Sequence, residues 1–179
     1  CIQKAAAYVS DGRWAAELGP LSACRKITLR VVCGRECIEL KNIAVGDVWL
    51  CSGQSNIECD FNYCVKTEKY TENFEKYDIR FLDMEQNISF DEESNLRNPK
   101  WLVVDNENYL PLSTVSCIFG QCLAKETDVP IGLVKNYRGG NSIITYLSEE
   151  SLSACDDDGI FMHRLESEKK EIKSAWSMI

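Results

Sequence analysis

The chain has 179 residues, of which 45% are hydrophobic, with a formal net charge of −8 and ten cysteines. That length suits one domain, or a small domain with part of a second. The acidic balance argues against a surface for nucleic acid, whose phosphates demand clustered Lys and Arg, and no stretch is long and apolar enough to predict a membrane span.

Residues 1–45 predict β structure. Ser10-Asp11-Gly12-Arg13 reads as a turn and Trp14 to Leu18 as a short apolar run. Ile27 to Val32 is rich in β-branched residues, Cys37-Ile38-Glu39-Leu40 alternates, and Gly34-Arg35 between them breaks as a hairpin does. Short strands need partners to bury their faces, so this stretch predicts part of a β-sandwich ahead of the main sheet.

Val48-Trp49-Leu50-Cys51, closed by Ser52-Gly53, is an apolar run of the kind that forms a buried strand in a parallel sheet. Ser55 follows, flanked by Gln54 and Asn56, where a strand hands over to an amphipathic stretch. Ligand crevices in open α/β sheets lie beyond the carboxyl ends of the strands, where a helix begins with free N–H groups. The residues also read as an ordinary turn, and the G-x-S-x-G elbow is not met, because Ile57 holds the closing glycine position.

The aromatics Phe61, Tyr63, Tyr70, Phe74 and Tyr77 read as core packing rather than base-stacking groups, given their acidic surroundings. Asp78 to Asp83 alternates as a strand, 89–100 is a charged loop, and Trp101 to Val104 is again apolar. Thr114 to Glu126 carries apolar residues at helical spacing, with Pro111 before it and Pro130 after. Ile131 to Val134 is a short buried strand, and strand, helix, strand in that order predicts a right-handed parallel crossover. Gly139-Gly140 then lets the backbone approach a ligand, and at a strand end in the same sheet as Ser55 the Gly140 N–H is a candidate oxyanion donor.

Ser148 opens a short helix, and Phe161 to Trp176 reads as a charged amphipathic helix with Glu166 and Lys170 as an i,i+4 pair. Asp156-Asp157-Asp158 lacks the ligand spacing of a calcium loop and reads as solvated. No pair of cysteines forms C-x-x-C, and His163 is the only histidine, so the grammar of a zinc site is absent. Cys51, Cys117 and Cys122 sit in apolar segments as buried thiols, and one or two bridges among the rest suit an oxidising compartment. The sequon Asn87-Ile88-Ser89 carries a glycan only in a secreted chain.

The block Gly46 to Asn56 resembles the signature segment of the sialate O-acetylesterases and related acetyl esterases of the SGNH (GDSL-like) hydrolases, in which G-Q-S-N carries a serine nucleophile. Val129-Pro130-Ile131-Gly132-Leu133-Val134 followed by Arg138-Gly139-Gly140-Asn141-Ser142-Ile143 is similar to that family's V-P-I-G-L-I and W-G-G-T-x-I pattern, and Trp101 and Ser116 to Leu123 resemble the segment leading into it. The resemblance implies an α/β fold: a β-sandwich-like segment over 1–45, then over 46–179 the first part of a flavodoxin-like parallel sheet with flanking helices. It implies a carbohydrate O-acetylesterase that removes acetyl groups through an acyl-serine intermediate, without metal or cofactor. Ser55 is then the nucleophile and Gly140 the oxyanion donor, with Gln54, Asn56, Arg138, Gly139 and Asn141 around the substrate. The partner is an O-acetylated sugar, sialic acid or another acetylated glycan, and the implied location is extracytoplasmic, secreted or lysosomal.

The pattern also departs from the family. Arg138 stands where the family has Trp, Asn141 replaces Thr, and Tyr146 takes the place of a second Trp. Arg138 suits the carboxylate of a sialic acid. The family's histidine lies far downstream in a D-x-x-H motif; Asp158 precedes His163 by five, so His163 is not the expected base. The chain begins at Cys1 and stops at Ile179 inside a helical pattern, which predicts an N-terminal fragment, inactive without the C-terminal part that carries the acid–base half. The alternative is a catalytically degenerate hydrolase-like domain that binds glycans.

Overall fold

The computed structural model describes residues 2–72, 74–86 and 93–176. The sequon at Asn87 lies outside the described residues.

Strands β1 (Cys24–Cys33) and β2 (Glu36–Val45) pair antiparallel across the two-residue turn Gly34-Arg35, with Gly34 at φ 60°. Before them, residues 2–23 form no strand or helix beyond an isolated bridge between Ser10 and Arg13, turned by Asp11 and Gly12 at positive φ. The sandwich-like segment expected over 1–45 is therefore one two-stranded ribbon among the described residues, and Trp14 to Leu18 joins no strand. Among the described residues no second sheet faces the ribbon, and Val32, Ile38 and Leu40 stay exposed. Arg25 pairs with Asp128 at 2.9 Å, and the Arg80 guanidinium donates to the Asn42 backbone carbonyl and side chain, tying the ribbon to the rest. At the junction Gly46 lies flat against Pro130: a Cβ there would sit 2.0 Å from the Pro130 carbonyl oxygen.

The main sheet holds β3 (Asp47–Gly53), β4 (Ile79–Asp83), β5 (Lys100–Val103) and β6 (Ile131–Tyr137) in the order β3-β6-β4-β5. β6 runs parallel to both β3 and β4, while β5 runs antiparallel to β4 at the edge. The strand, helix, strand order expected of Asp78 to Asp83, the long helix and Ile131 to Val134 gives parallel neighbours, β4 and β6, with the antiparallel β5 inserted before the helix. The chain doubles back after β4 so that Lys100 faces Asp83, and the parallel partners of β6 are two earlier strands.

Helix α3 (Thr114–Thr127) covers one face of this sheet. Ser113 caps it by accepting the Ser116 N–H at 3.1 Å, and Asp128 ends it in the left-handed region at φ 54°. Gly120 lets the helix lie close, since a Cβ there would meet Leu133 Cδ1 at 3.0 Å. Between helix and sheet, Ile79, Phe81, Ile131 and Leu133 of the sheet and Cys117 of the helix are fully buried. Phe61, Phe74 and Tyr109 pack as a cluster with ring centroids 5.0–5.9 Å apart, as core residues rather than stacking platforms.

β3 departs from the buried strand its composition predicts. Trp49 and Cys51 face α3, where Trp49 meets Phe119 edge-on at 5.2 Å, but Val48 and Leu50 point the other way and are 65% and 63% exposed. The strand lies at the edge of the sheet, and nothing among the described residues covers its second face.

The remaining helices are α1 (Ser55–Glu58), α2 (Glu68–Thr71), α4 (Glu149–Ala154) and α5 (Ile160–Trp176). Ser148 caps α4, and the Asp156 carboxylate accepts the N–H groups of Phe161 and Met162 at 3.0 and 2.7 Å. The i,i+4 ion pair along α5 is Arg164–Glu168 at 2.9 Å, two positions ahead of the expected Glu166–Lys170. No helix of the described residues is long and apolar enough to cross a membrane.

Candidate active site

The parallel register of β3 and β6 brings two distant pieces of sequence level with each other. Gly53 faces Tyr137, and the Arg138 N–H continues the ladder by donating to the Gly53 carbonyl at 3.2 Å. Two residues further on each chain stand Ser55 and Gly139, side by side: a Cβ on Gly139 would lie 3.7 Å from the Ser55 Cα.

Gly53 makes the departure from β3 at φ 147°, and the Gln54 carbonyl then accepts the N–H groups of Ile57 and Glu58 at 3.1 and 3.0 Å. Ser55 is thereby the first residue of α1, exposed, with no hydrogen-bond partner for its hydroxyl among the described residues. α1 is one turn of four residues, so its start offers individual N–H groups rather than the aligned dipoles of a long helix. Its far end rests on the start of α3. Cys59 accepts the Thr114 N–H at 3.0 Å, and the Ser113 hydroxyl donates to the Ile57 carbonyl at 2.5 Å.

Beyond β6 the chain turns at Arg138-Gly139-Gly140-Asn141, closed by the Asn141 N–H on the Arg138 carbonyl at 3.3 Å. Gly140 sits at φ 82°, the third-position angle of a type II turn, which glycine adopts without strain. The two glycines differ in what their amides do. The Gly139 N–H donates to Glu58 Oε2 at 2.5 Å, whereas the Gly140 N–H has no partner among the described residues. Gln86 steadies the same corner, its amide donating to Glu58 Oε1 and to the Tyr137 carbonyl at 3.4 Å each. The Tyr146 hydroxyl donates to the Gly53 carbonyl from the other side.

Glu58 and Gln86 were not legible as site residues in the sequence. The available signal was the spacing Ser55-x-x-Glu58, which matches a capping box. In a capping box the glutamate turns back to its own helix start; here it turns out to the neighbouring strand end.

Of the other residues singled out, Gln54 and Asn56 flank Ser55 and are exposed, and Arg138 and Asn141 are half-buried in the glycine turn. The Arg138 guanidinium makes no ion pair among the described residues. His163 is exposed on α5, which packs against α4, and makes no side-chain hydrogen bond among the described residues. Below the site, burial pushes the Cys51 and Cys117 thiols and the Tyr137 phenol upward, so all three stay protonated near neutral pH. They are buried and offer no nucleophile there, whereas the Ser55 hydroxyl is exposed. Among the described residues no group of three His, Cys, Asp or Glu side chains is placed to hold a metal ion. A shallow cavity lined by Asn42, Gly46, Arg80, Trp101 and Pro130 lies at the opposite, amino-terminal end of β3 and β6.

No family model matches the chain. It is 28% identical to the sialate O-acetylesterase of Mus musculus over 126 residues, 66% of this chain and 23% of that protein. It is 28% identical to the sialate O-acetylesterase of Homo sapiens over 145 residues, 76% of this chain and 27% of that protein. The chain thus spans about a quarter of the length of the curated relatives it matches. A crystal structure of a carbohydrate acetylesterase from Xanthomonas citri superposes with a TM-score of 0.72 at 25% identity, covering 86% of this chain and 38% of that one. By its sequence blocks, its relatives and its mixed α/β fold, the chain is sialate O-acetylesterase-like.

Proposed function

We propose that this chain is the nucleophile-bearing part of a carbohydrate O-acetylesterase, removing acetyl groups from sugar hydroxyls through an acetyl-serine intermediate. The reading rests on one observation: Ser55 and the Gly139-Gly140 turn stand side by side at the carboxyl ends of two parallel strands, with the hydroxyl exposed and one glycine amide free. In this reading the sheet over 46–179 is the beginning of a flavodoxin-like SGNH domain, and 1–45 is a β segment ahead of it.

The chemistry follows from those groups. The Ser55 oxygen attacks the acetyl carbonyl carbon as its proton passes to a base. The carbonyl electrons move onto oxygen, which accepts hydrogen bonds from the Gly140 N–H and the Ser55 N–H. Collapse expels the sugar oxygen, protonated by the same base, and water then attacks the acetyl-serine to release acetate. His163 is not that base: it sits exposed on α5 and is not hydrogen-bonded to Ser55. In this reading the acid–base half lies outside these elements, and the 179-residue chain alone is expected to be inactive. An extracytoplasmic location and a sialic acid whose carboxylate meets Arg138 go with this reading.

The test is acetate release from an O-acetylated sialic acid by the full-length gene product, with Ser55→Ala alongside. The expected loss is at least about 10³-fold, as for a nucleophile whose removal leaves only binding and oxyanion contacts. Equal rates in the two proteins would overturn the reading. Glycan binding without turnover in either would instead establish the degenerate, binding-only domain, in keeping with the Ser55 hydroxyl having no hydrogen-bonded imidazole among the described residues. The 179-residue chain by itself is expected to release acetate no faster than its own Ser55→Ala variant.

A further inference from the structure

The segment that leaves α1 carries two thiols, and the backbone holds them together. Cys59 and Cys64 lie five residues apart, yet their sulfurs approach to 3.6 Å. Every step between them is pinned. The Cys59 N–H donates to the Ser55 carbonyl at 3.0 Å and the Asp60 carboxylate accepts the Asn62 N–H at 2.9 Å. A 3₁₀ turn over Phe61–Tyr63 follows, and the Cys64 N–H closes it on the Phe61 carbonyl at 3.3 Å. Phe61 is buried against Phe74 and Tyr109, and the Asn62 amide donates to the Leu110 carbonyl at 3.1 Å. The backbone carrying both cysteines is therefore held by the fold, and it places the two sulfurs within reach of each other. Both cysteines are half-buried, open enough for a small reagent to reach.

Of the other cysteines, Cys122 is exposed rather than buried as expected, Cys155 is exposed, and Cys24 is half-buried at the start of β1. Cys51 and Cys117 are buried and stay protonated. Cys33 faces Glu36 and Cys37 faces Val32 across the ribbon, with the Cys37 sulfur taken by Arg30 at 3.7 Å.

We propose that Cys59 and Cys64 are a thiol–disulfide exchange site, which closes to an intrachain disulfide when it meets a small-molecule disulfide such as oxidised glutathione. The Cys64 thiolate attacks one sulfur of the reagent, forming a mixed disulfide and releasing one glutathione thiolate. The Cys59 thiolate then attacks the Cys64 sulfur, forming the Cys59–Cys64 bond and releasing the second. Two protein thiols are oxidised, losing two electrons and two protons, and one reagent disulfide is reduced to two thiols. The bond would lock the exit of α1, next to Glu58. The site stands on sulfur geometry alone, whether or not Ser55 is a nucleophile.

The test treats the folded, reduced chain with a glutathione redox buffer, quenches it in acid, and alkylates under denaturing conditions with N-ethylmaleimide. Tryptic peptide 42–66 contains Cys51, Cys59 and Cys64 and no internal cleavage site. Oxidation is expected to lower its uptake from three maleimides to one, at Cys51, and dithiothreitol is expected to restore three. In Cys59→Ser the reaction stops at a stable Cys64–glutathione mixed disulfide. Three maleimides at every redox ratio, a mixed disulfide that persists in the unmutated chain, or a bond from either thiol to Cys51 would each overturn the proposal. Far-ultraviolet circular dichroism of Cys59→Ser confirms that the variant tested is folded.

Discussion

Glu58 accepts the Gly139 N–H at 2.5 Å, joining the one-turn helix after β3 to the glycine turn after β6. This contact spans 81 positions of sequence and sits directly beside Ser55. It has two effects on the corner. It withdraws Gly139 from any role as a donor to substrate, and it holds the next amide, that of Gly140, in a turn fixed relative to the serine.

Removing the Glu58 carboxylate should therefore loosen the corner. Glu58→Ala leaves the Gly139 amide without its charged acceptor and is expected to cost roughly 1–3 kcal/mol, read as a lower urea midpoint with unchanged slope. Glu58→Gln keeps an acceptor oxygen and should cost less. Midpoints indistinguishable from that of the unmutated chain in both variants would mean that the contact contributes no stability.

The two glycines should respond differently to a methyl group. At Gly139 a Cβ would meet Glu58 Oε2 at 2.5 Å, so Gly139→Ala must displace the carboxylate and break its hydrogen bond. At Gly140 nothing lies within 4 Å and only the positive φ of 82° resists, which costs about 1–2 kcal/mol. Gly12, at φ 72° in open space far along the chain, is the control for that conformational cost alone. Thermal melts should place Gly12→Ala and Gly140→Ala close together, with Gly139→Ala lower than both.

Alkaline pH should destabilise the fold. Burial raises the Tyr137 phenol well above its ordinary 10.0 and the Cys51 and Cys117 thiols above their ordinary 9.0. In the unfolded chain these groups ionise at the ordinary values, while the folded chain keeps them neutral. Their contribution to stability is thus whole below about pH 9 and is lost as pH rises towards the folded values. Urea midpoints should decline from about pH 9 upward, and Tyr137→Phe should flatten the part of that decline above about pH 10. A midpoint that holds steady up to about pH 10.5 would contradict the burial of these groups.

Arg138 offers a test of substrate class. Its guanidinium is half-buried in the glycine turn without an ion pair among the described residues. If it meets the carboxylate of a sialic acid, Arg138→Ala in the full-length gene product should raise KM for an acetylated sialic acid roughly tenfold or more. KM for a neutral acetylated sugar should change little. Equal losses on both substrates would remove the residue from any role in choosing between them.

How much of this was readable from the chain differs from element to element. The α3 helix was plain because its apolar spacing and flanking prolines are local signals, and the Gly34-Arg35 turn was plain for the same reason. Ser55 and the Gly139-Gly140 pair could each be picked out as a break after an apolar strand, and the resemblance to the acetyl esterases joined them. The ribbon in place of a sandwich, the exposed face of β3 and the reversed direction of β5 could not be read, since an apolar or alternating stretch looks alike whatever lies across from it.

The sequence by itself marked α3, the Gly34-Arg35 turn and the breaks after β3 and β6, because periodicity, proline punctuation and glycine angles act within a few residues. Only the tertiary structure decided that Glu58 turns to Gly139, that the Gly140 amide has no partner among the described residues, and that Cys59 faces Cys64. The first two follow from strand register between segments far apart in the chain, and the third from a loop pinned by a buried aromatic cluster. Pairing between distant segments leaves no periodic trace in either of them.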